Sequence, residues 1–308
     1  MIGRGQAPGK VILTGEHFVV HGAPAIALPV RAVQKEVEID EKLDPYGESL
    51  ELSILDRYPE HETLRQMLVT LLDQLQLAPA GEVRITVRSS LAPGAHLGSS
   101  AALAVAMVRA FSDLRHLELP DDEVAKLAFE LERIVHKNPS GIDNTVIALD
   151  RPIWFRKGAA AEPIECALDA TLLLADTGRM SSTAEVVASV GEFRDRERVR
   201  WKTAIGEAED LALGLREALA RGDGDGAGEC MNRNQALLAE IGTSSNELET
   251  LITAARRSGA LGAKLTGAGG GGNAIALVPN DLVETVRLAL ISCGACGVID
   301  VPLEHLLP

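Results

Sequence analysis

An α+β fold in two lobes is the reading that the order of elements supports. Strands and turns fill most of the first ninety residues, helices dominate the stretch up to about Arg257, and 308 residues suffice for two domains with real cores. Hydrophobic residues make up 46% of the chain and aromatics only 3%, so those cores are built from Ala, Leu, Val and Ile rather than large rings. These observations are compatible with the class and do not choose a fold within it.

The expected strands are Lys10–Thr14, Ala25–Leu28, Lys35–Asp40, Glu51–Leu55 and Val83–Arg88, and several of them show period-two alternation. A helix from about Glu62 to Gln76 interrupts them. Two more helices follow, at Ser100 to His116 and Asp121 to His136, with Asp121 and Asp122 marking the second start by capping preference. Beyond Asp150 the pattern predicts strands near Ile153–Phe155 and Thr171–Ala175, then helices to about Arg257. Glycine and aspartate between Arg221 and Gly226 lack the spaced oxygen ligands and distal Glu of a calcium loop and read as a helix-to-helix connection. A final strand, helix and strand occupy Asn273–Val278, Asp281–Leu290 and Val298–Val301.

Charge narrows the partners. With 30 Lys plus Arg against 44 Asp plus Glu, the net charge of −14 disfavours nucleic acid and anionic membrane surfaces, so an anionic ligand must be held by local groups. Residues Met1 to Gln6 contain no apolar signal region, and no stretch approaches the ~18 apolar residues of a membrane span, so a cytoplasmic protein is expected. Cys166 and Cys230 stand alone, and Cys293 and Cys296 form a CxxC without a second metal-spaced pair, which reads as two small buried thiols near the chain end.

Four segments carry chemistry. Pro93, Gly94, Ala95, His96, Leu97, Gly98 and Ser99 run into the alanine-rich apolar helix that starts at Ser100 and continues through Ala101. Glycines let the main chain approach a ligand, and the first N–H groups of a helix attract an anion, so this is a phosphate cradle or, more blandly, a turn capped by Ser99 or Ser100. A second run, Lys264 to Asn273, contains G-x-G-x-x-G. It precedes a strand instead of opening a helix, so it is no dinucleotide fingerprint, and close approach to a phosphate or substrate is the expected use of its glycines. Near the N-terminus, Ala7 to Gly22 carries Lys10 along a strand into a turn holding Glu16, His17 and His21. Finally, Glu132 to Asn144 places one carboxylate at a helix C-terminal end and another, Asp143, beyond a Pro-Ser-Gly turn. The helix dipole disfavours Glu132 there, so it needs a positive partner, which a magnesium ion would supply.

Taken together and in order, Ala7–His17, Leu97–Ala102, His136–Asn144 and Lys264–Gly272 resemble the GHMP small-molecule kinases, and within them the mevalonate kinases, over nearly the whole chain. The segment Ala175–Thr183 fits the same family. The resemblance implies a two-lobed fold, with an N-terminal lobe like ribosomal S5 domain 2 over 1–160, a ferredoxin-like C-terminal lobe over 161–308, and the active site between them. It implies an ATP- and Mg²⁺-dependent kinase acting on the 5-hydroxyl of (R)-mevalonate in isoprenoid synthesis. Carried onto this chain, Pro93 to Ala101 wrap the ATP phosphates, Ser100 and Glu132 hold Mg²⁺, and Lys10 and Asp143 are catalytic. Glu16, His17, Thr183 and Gly269 lie on the substrate side. Because some members of the family form dimers, a homodimer is the implied assembly.

Two positions depart from the family pattern: His96 replaces a glycine of the phosphate loop, and Lys137 replaces a glycine between His136 and Asn138. A side chain at position 96 restricts φ, which bears on nucleotide affinity. The alternatives are another GHMP kinase, acting on phosphomevalonate, a different mevalonate hydroxyl or a sugar, and a non-catalytic metabolite-binding regulator on the same fold. The joint presence of Lys10, Ser100, Glu132 and Asp143 argues against the regulator.

Overall fold

A computed structural model describes residues 1–42, 52–55, 61–77, 82–90, 97–136 and 139–306. In chain order its elements are β1 (Ile2–Thr14), β2 (Ala25–Lys42), β3 (Leu52–Leu55), α1 (His61–Gln74), β4 (Glu82–Ser89), α2 (Ser99–Leu114), α3 (Asp121–Val135) and α4 (Ile142–Leu149). There follow β5 (Ile153–Phe155), β6 (Glu162–Pro163), β7 (Ala170–Asp176), α5 (Thr183–Arg196), α6 (Arg198–Arg221), α7 (Gly224–Glu240) and α8 (Asn246–Arg257). The last elements are β8 (Gly262–Leu265), β9 (Asn273–Pro279), α9 (Val283–Ser292) and β10 (Gly297–Pro302).

The chain divides into two compact units. The first comprises the described residues of Met1–Lys10, Pro29–Ala92 and Gly98–Asp150, and the second the remainder, so that β1 and β2 contribute to both. In the first unit β2 pairs antiparallel with β4 through Lys35–Lys42, and β3 runs parallel to β4. Helix α3 packs against α1, α2 and α4. The strand β1 lies directly against α2: a Cβ on Gly3 would fall 2.2 Å from the Ala110 carbonyl, and one on Gly5 would fall 2.1 Å from the Ala106 carbonyl. Glycine on alternate residues of one strand face is what allows the helix to approach the bare backbone.

In the second unit Ala25–Ala27 of β2 pair with β5, and β6 pairs with β5. A separate four-stranded antiparallel sheet has the order β10-β7-β9-β8. Strand β7, a helical run, β8, β9, α9 and β10 form the β-α-β-β-α-β order of a ferredoxin-like motif. One face of this sheet buries Leu173, Ala263, Leu265 and Ala276 against Leu238 and Ile252 of the helices. The outer strand β8 is covered by α7 side chains: Asn232 accepts from the Ala263 N–H at 3.1 Å and Gln235 from the Leu265 N–H at 2.9 Å.

Differences from the sequence expectations have local causes. The expected strands at Ala25–Leu28 and Lys35–Asp40 are one strand, because Pro29 falls between the stretch paired with β5 and the stretch paired with β4, where it does not end the strand. The Asp-Gly connection is shorter than expected: Asp223 accepts from the Gly226 N–H at 2.9 Å, and this cap starts α7 at Gly224. Strands β6 and β8, helix α4, and the Ile2–Gly9 part of β1 are additional to the elements expected. Cys293 and Cys296, expected to be buried, are exposed, because they lie in the turn between α9 and β10.

Candidate active site

In the first unit, four elements bring charged and polar side chains together. Lys10 lies on β1, with its side chain buried to 4% exposure, and its Nζ stands 3.2 Å from Oδ2 of Asp143, which is 31% exposed. Asp143 occupies the first turn of α4, which follows Gly141 in the left-handed region at φ 90°. An acidic residue there is favoured by the helix dipole, and the glycine makes the sharp entry into the helix.

Helix α2 begins with Ser99 and Ser100, and its N-cap is Gly98 at φ 76°, not either serine. The capped-turn alternative for the serines is thereby removed. A Cβ at Gly98 would stand 2.8 Å from Cγ of Lys10 and 3.2 Å from Cδ1 of Ile147, so the glycine is required for the helix start to come this close to the lysine. The first N–H groups of α2 have no partners within the helix and point a partial positive charge out of its N-terminus. The Ser100 hydroxyl lies 3.2 Å from Nε2 of His136.

Glu132 is in the last turn of α3 and 3% exposed. Burial, reinforced by the negative charge of Asp143, pushes its carboxyl up to about 7, while Ser100 and Lys10 pull in the opposite direction. Its Oε1 is buried and has no hydrogen-bond partner. An orphaned carboxylate oxygen beside a hydroxyl is a hard, anionic donor set that suits a small divalent cation. Among the described residues no three His, Cys, Asp or Glu gather as a metal cluster, so such a cation would draw its other ligands from phosphate oxygens and water.

The second unit holds the other expected group. Glu16 and Lys264 form a fully buried ion pair, and the same Nζ donates to the Leu265 carbonyl at 2.6 Å. His17 sits at φ 62° and is within 2.8 Å of the Ala268 carbonyl through Nε2. A carbonyl only accepts, so Nε2 carries the proton. Burial, with Lys264 and His21 adding to it, holds the imidazole below its ordinary pKa of 6.5, so it is neutral and Nδ1 is an acceptor. Thr183 is exposed and opens α5 behind the cap residue Ser182, and Ser181 donates its hydroxyl to the Gly269 carbonyl at 2.7 Å.

At two positions of the second glycine run the protein's own backbone demands the missing Cβ. A Cβ on Gly269 would lie 2.1 Å from the Thr243 carbonyl, and one on Gly271 would lie 2.4 Å from the Arg179 carbonyl. The Gly270 and Gly272 N–H groups donate to those same two carbonyls, at 2.7 and 3.0 Å. The protein's own backbone therefore accounts for Gly269 and Gly271.

Of the residues expected in the phosphate loop, Leu97 is buried, Gly98 to Ala101 are placed as above, and Pro93, Gly94, Ala95 and His96 lie outside the described residues, as does Lys137. Lys264 and His136 had no assigned role in the sequence. A lone lysine in the apolar strand Gly262–Leu265 was the available signal, since a buried amine demands a carboxylate. Among the described residues no helix is long and apolar enough to cross a membrane.

Comparison with known proteins places these features in a family. Residues 62–150 match the GHMP kinases N terminal domain and residues 215–296 the GHMP kinases C terminal domain. The mevalonate kinase of Aeropyrum pernix is 37% identical over 91% of this chain and 90% of its own, and that of Thermococcus gammatolerans is 32% identical over 98% and 96%. The crystal structure of L. major mevalonate kinase in complex with R-mevalonate superposes with a TM-score of 0.82 at 32% identity, covering 97% of this chain and 94% of that one. Similarity of this extent, in sequence and in fold alike, means that the chain belongs to the mevalonate kinases of the GHMP kinase family.

Proposed function

We propose that the protein transfers the γ-phosphoryl group of ATP to the 5-hydroxyl of (R)-mevalonate. The observation that carries this reading is the Lys10–Asp143 pair at 3.2 Å, set beside a helix N-terminus that Gly98 brings against Lys10. In the reaction the substrate oxygen attacks the γ-phosphorus, the bond to the β–γ bridging oxygen breaks, and ADP leaves. The hydroxyl proton passes to the Asp143 carboxylate. Lys10, already oriented by Asp143, offsets charge on the entering oxygen and the transferred group, and the free N–H groups at the start of α2 hold phosphate oxygens. Such a site works by positioning and charge neutralisation rather than by covalent chemistry.

Mg²⁺ is the cation that fits Ser100 and Glu132. When bound it would neutralise phosphate charge, and Glu132 would then be ionised. In the second unit Glu16, His17, Thr183 and Gly269 are assigned to the substrate. His17, with Nε2 committed to Ala268, offers Nδ1 to a substrate hydroxyl as an acceptor.

A coupled assay of ADP release with mevalonate, phosphomevalonate, galactose and homoserine tests the reading. Turnover confined to mevalonate is expected. Turnover with another of the four would move the chain to a different GHMP specificity, and ATP binding without turnover on any of them would sink the enzyme reading.

A further inference from the structure

Arg109 stands on α2, nine residues beyond Ser100, and is used by none of the chemistry above. Its guanidinium nevertheless meets the three other first-unit elements that supply that chemistry, β1, α3 and α4. Nη1 donates to the Gln6 carbonyl of β1 at 2.8 Å, four residues before Lys10. Nη2 donates to the Ala148 carbonyl of α4 at 2.8 Å, five residues after Asp143, and lies 3.7 Å from Oδ1 of Asp121, the first residue of α3. Glu132 is near the other end of that same helix. One side chain thus joins the strand carrying Lys10, the helix carrying Ser100, the helix carrying Glu132 and the helix carrying Asp143.

The chemistry of the contacts explains why an arginine is needed. Helix α4 has eight residues, too few to hold its direction through its own hydrogen bonds. Ala148 is its penultimate residue, so its carbonyl is among those left without a partner inside the helix, and a cation at that end is favoured. A planar guanidinium donates in several fixed directions at once, which a lysine ammonium does not. The geometry also depends on Gly5: a Cβ there would strike the α2 backbone 2.3 Å from the Ala110 nitrogen and 2.9 Å from the Arg109 carbonyl carbon, so a side chain at position 5 would push away the helix turn that bears the arginine.

We infer that Arg109 is a positioning residue for phosphoryl transfer, fixing the Lys10–Asp143 pair relative to the Ser100–Glu132 pair through three backbone elements. This rests on the proposed kinase reading. Its effect falls on the chemical step, because misplacement of reacting groups by about 1 Å is enough to cost about 10²-fold.

The test measures kcat and both KM values for the full chain and for Arg109→Gln and Arg109→Lys, with near-UV circular dichroism and Tm as checks of folding. Arg109→Gln is expected to lower kcat about 10- to 100-fold with each KM within about 3-fold of wild type. Arg109→Lys keeps the charge and one of the two carbonyl bonds and is expected to recover part of the loss. The decisive arm repeats Arg109→Gln in an Asp143→Asn background, where the pair it positions is already disabled. There the further loss is expected to be under about 2-fold, whereas a general structural defect would multiply in full. Unchanged kcat in Arg109→Gln, or a full multiplicative loss in the double variant, overturns the proposal. If Arg109→Gln fails to fold, Arg109→Lys with wild-type kcat does the same. A wild-type chain without turnover on mevalonate overturns the kinase reading and this inference with it.

Discussion

Lys10 and Asp143 pair at 3.2 Å with unequal exposure, the lysine almost wholly buried and the aspartate one-third open. The open partner is the one able to meet a substrate hydroxyl, and the buried one is held in place by it. Asp143→Asn removes the charge and keeps the shape. It is expected to lower kcat by about 10²-fold or more while nucleotide affinity, measured by calorimetry, stays within a few-fold. An unchanged kcat would remove Asp143 from the mechanism.

Glu132 gives a pH dependence whose sign follows from its environment. Its folded-state pKa, about 7, lies above the ordinary 4.5, so between those values the native state holds a proton that the unfolded chain has lost. Stability contributed by the neutral acid is therefore fully present below about 4.5 and is lost as pH rises through about 7. In cation-free buffer, Glu132→Gln is expected to lack that decline. Thermal denaturation of both proteins at several pH values across this window is the measurement, and parallel curves would refute the assignment. With activity as readout, Glu132→Gln is expected to raise the Mg²⁺ requirement.

Gly98→Ala combines two penalties at one position. A left-handed φ costs an L-residue roughly 1–2 kcal/mol, and the new methyl would press on the Lys10 side chain. The variant is expected to lose about that much stability in urea denaturation, and kcat should fall with it as the lysine is displaced. Full activity at reduced stability would separate the helix start from the position of Lys10.

The Glu16–Lys264 pair is buried on both sides, at 1% and 0% exposure. Lys264→Met leaves a carboxylate without its cation in the interior and is expected to cost about 3–5 kcal/mol, whereas pairing it with Glu16→Gln should recover a large part. Equal destabilisation of the single and double variants, read from urea midpoints, would show that packing rather than charge governs the site.

What could be read without coordinates was whatever the chain writes locally. Helix α2 and its glycine start are legible because glycine, paired serines and an unbroken alanine-rich run follow one another. Lys10, Glu132 and Asp143 are legible because each sits in a short pattern with few other uses. By contrast, Ile2–Gly9 of β1 was hidden by Gly3 and Gly5, which lower strand propensity in order to admit a helix. Strand β8 was hidden by Lys264, whose partner Glu16 lies 248 residues away. Arg109 carries no local signal, because its two carbonyl partners are 103 and 39 residues distant. The glycines of the second run were visible, but the backbone neighbours of Gly269 and Gly271 were not, since a backbone neighbour and a ligand make the same demand for a missing Cβ.

The amides of Asn232 and Gln235 that cover β8 bear on how this protein behaves in a crowd of its own copies. An outer strand with free N–H groups is a template on which another chain can add a strand. Here the Ala263 and Leu265 N–H groups are already taken by helix side chains, so the sheet is sealed on that side against edge-to-edge aggregation. Replacing both amides with leucine would reopen it.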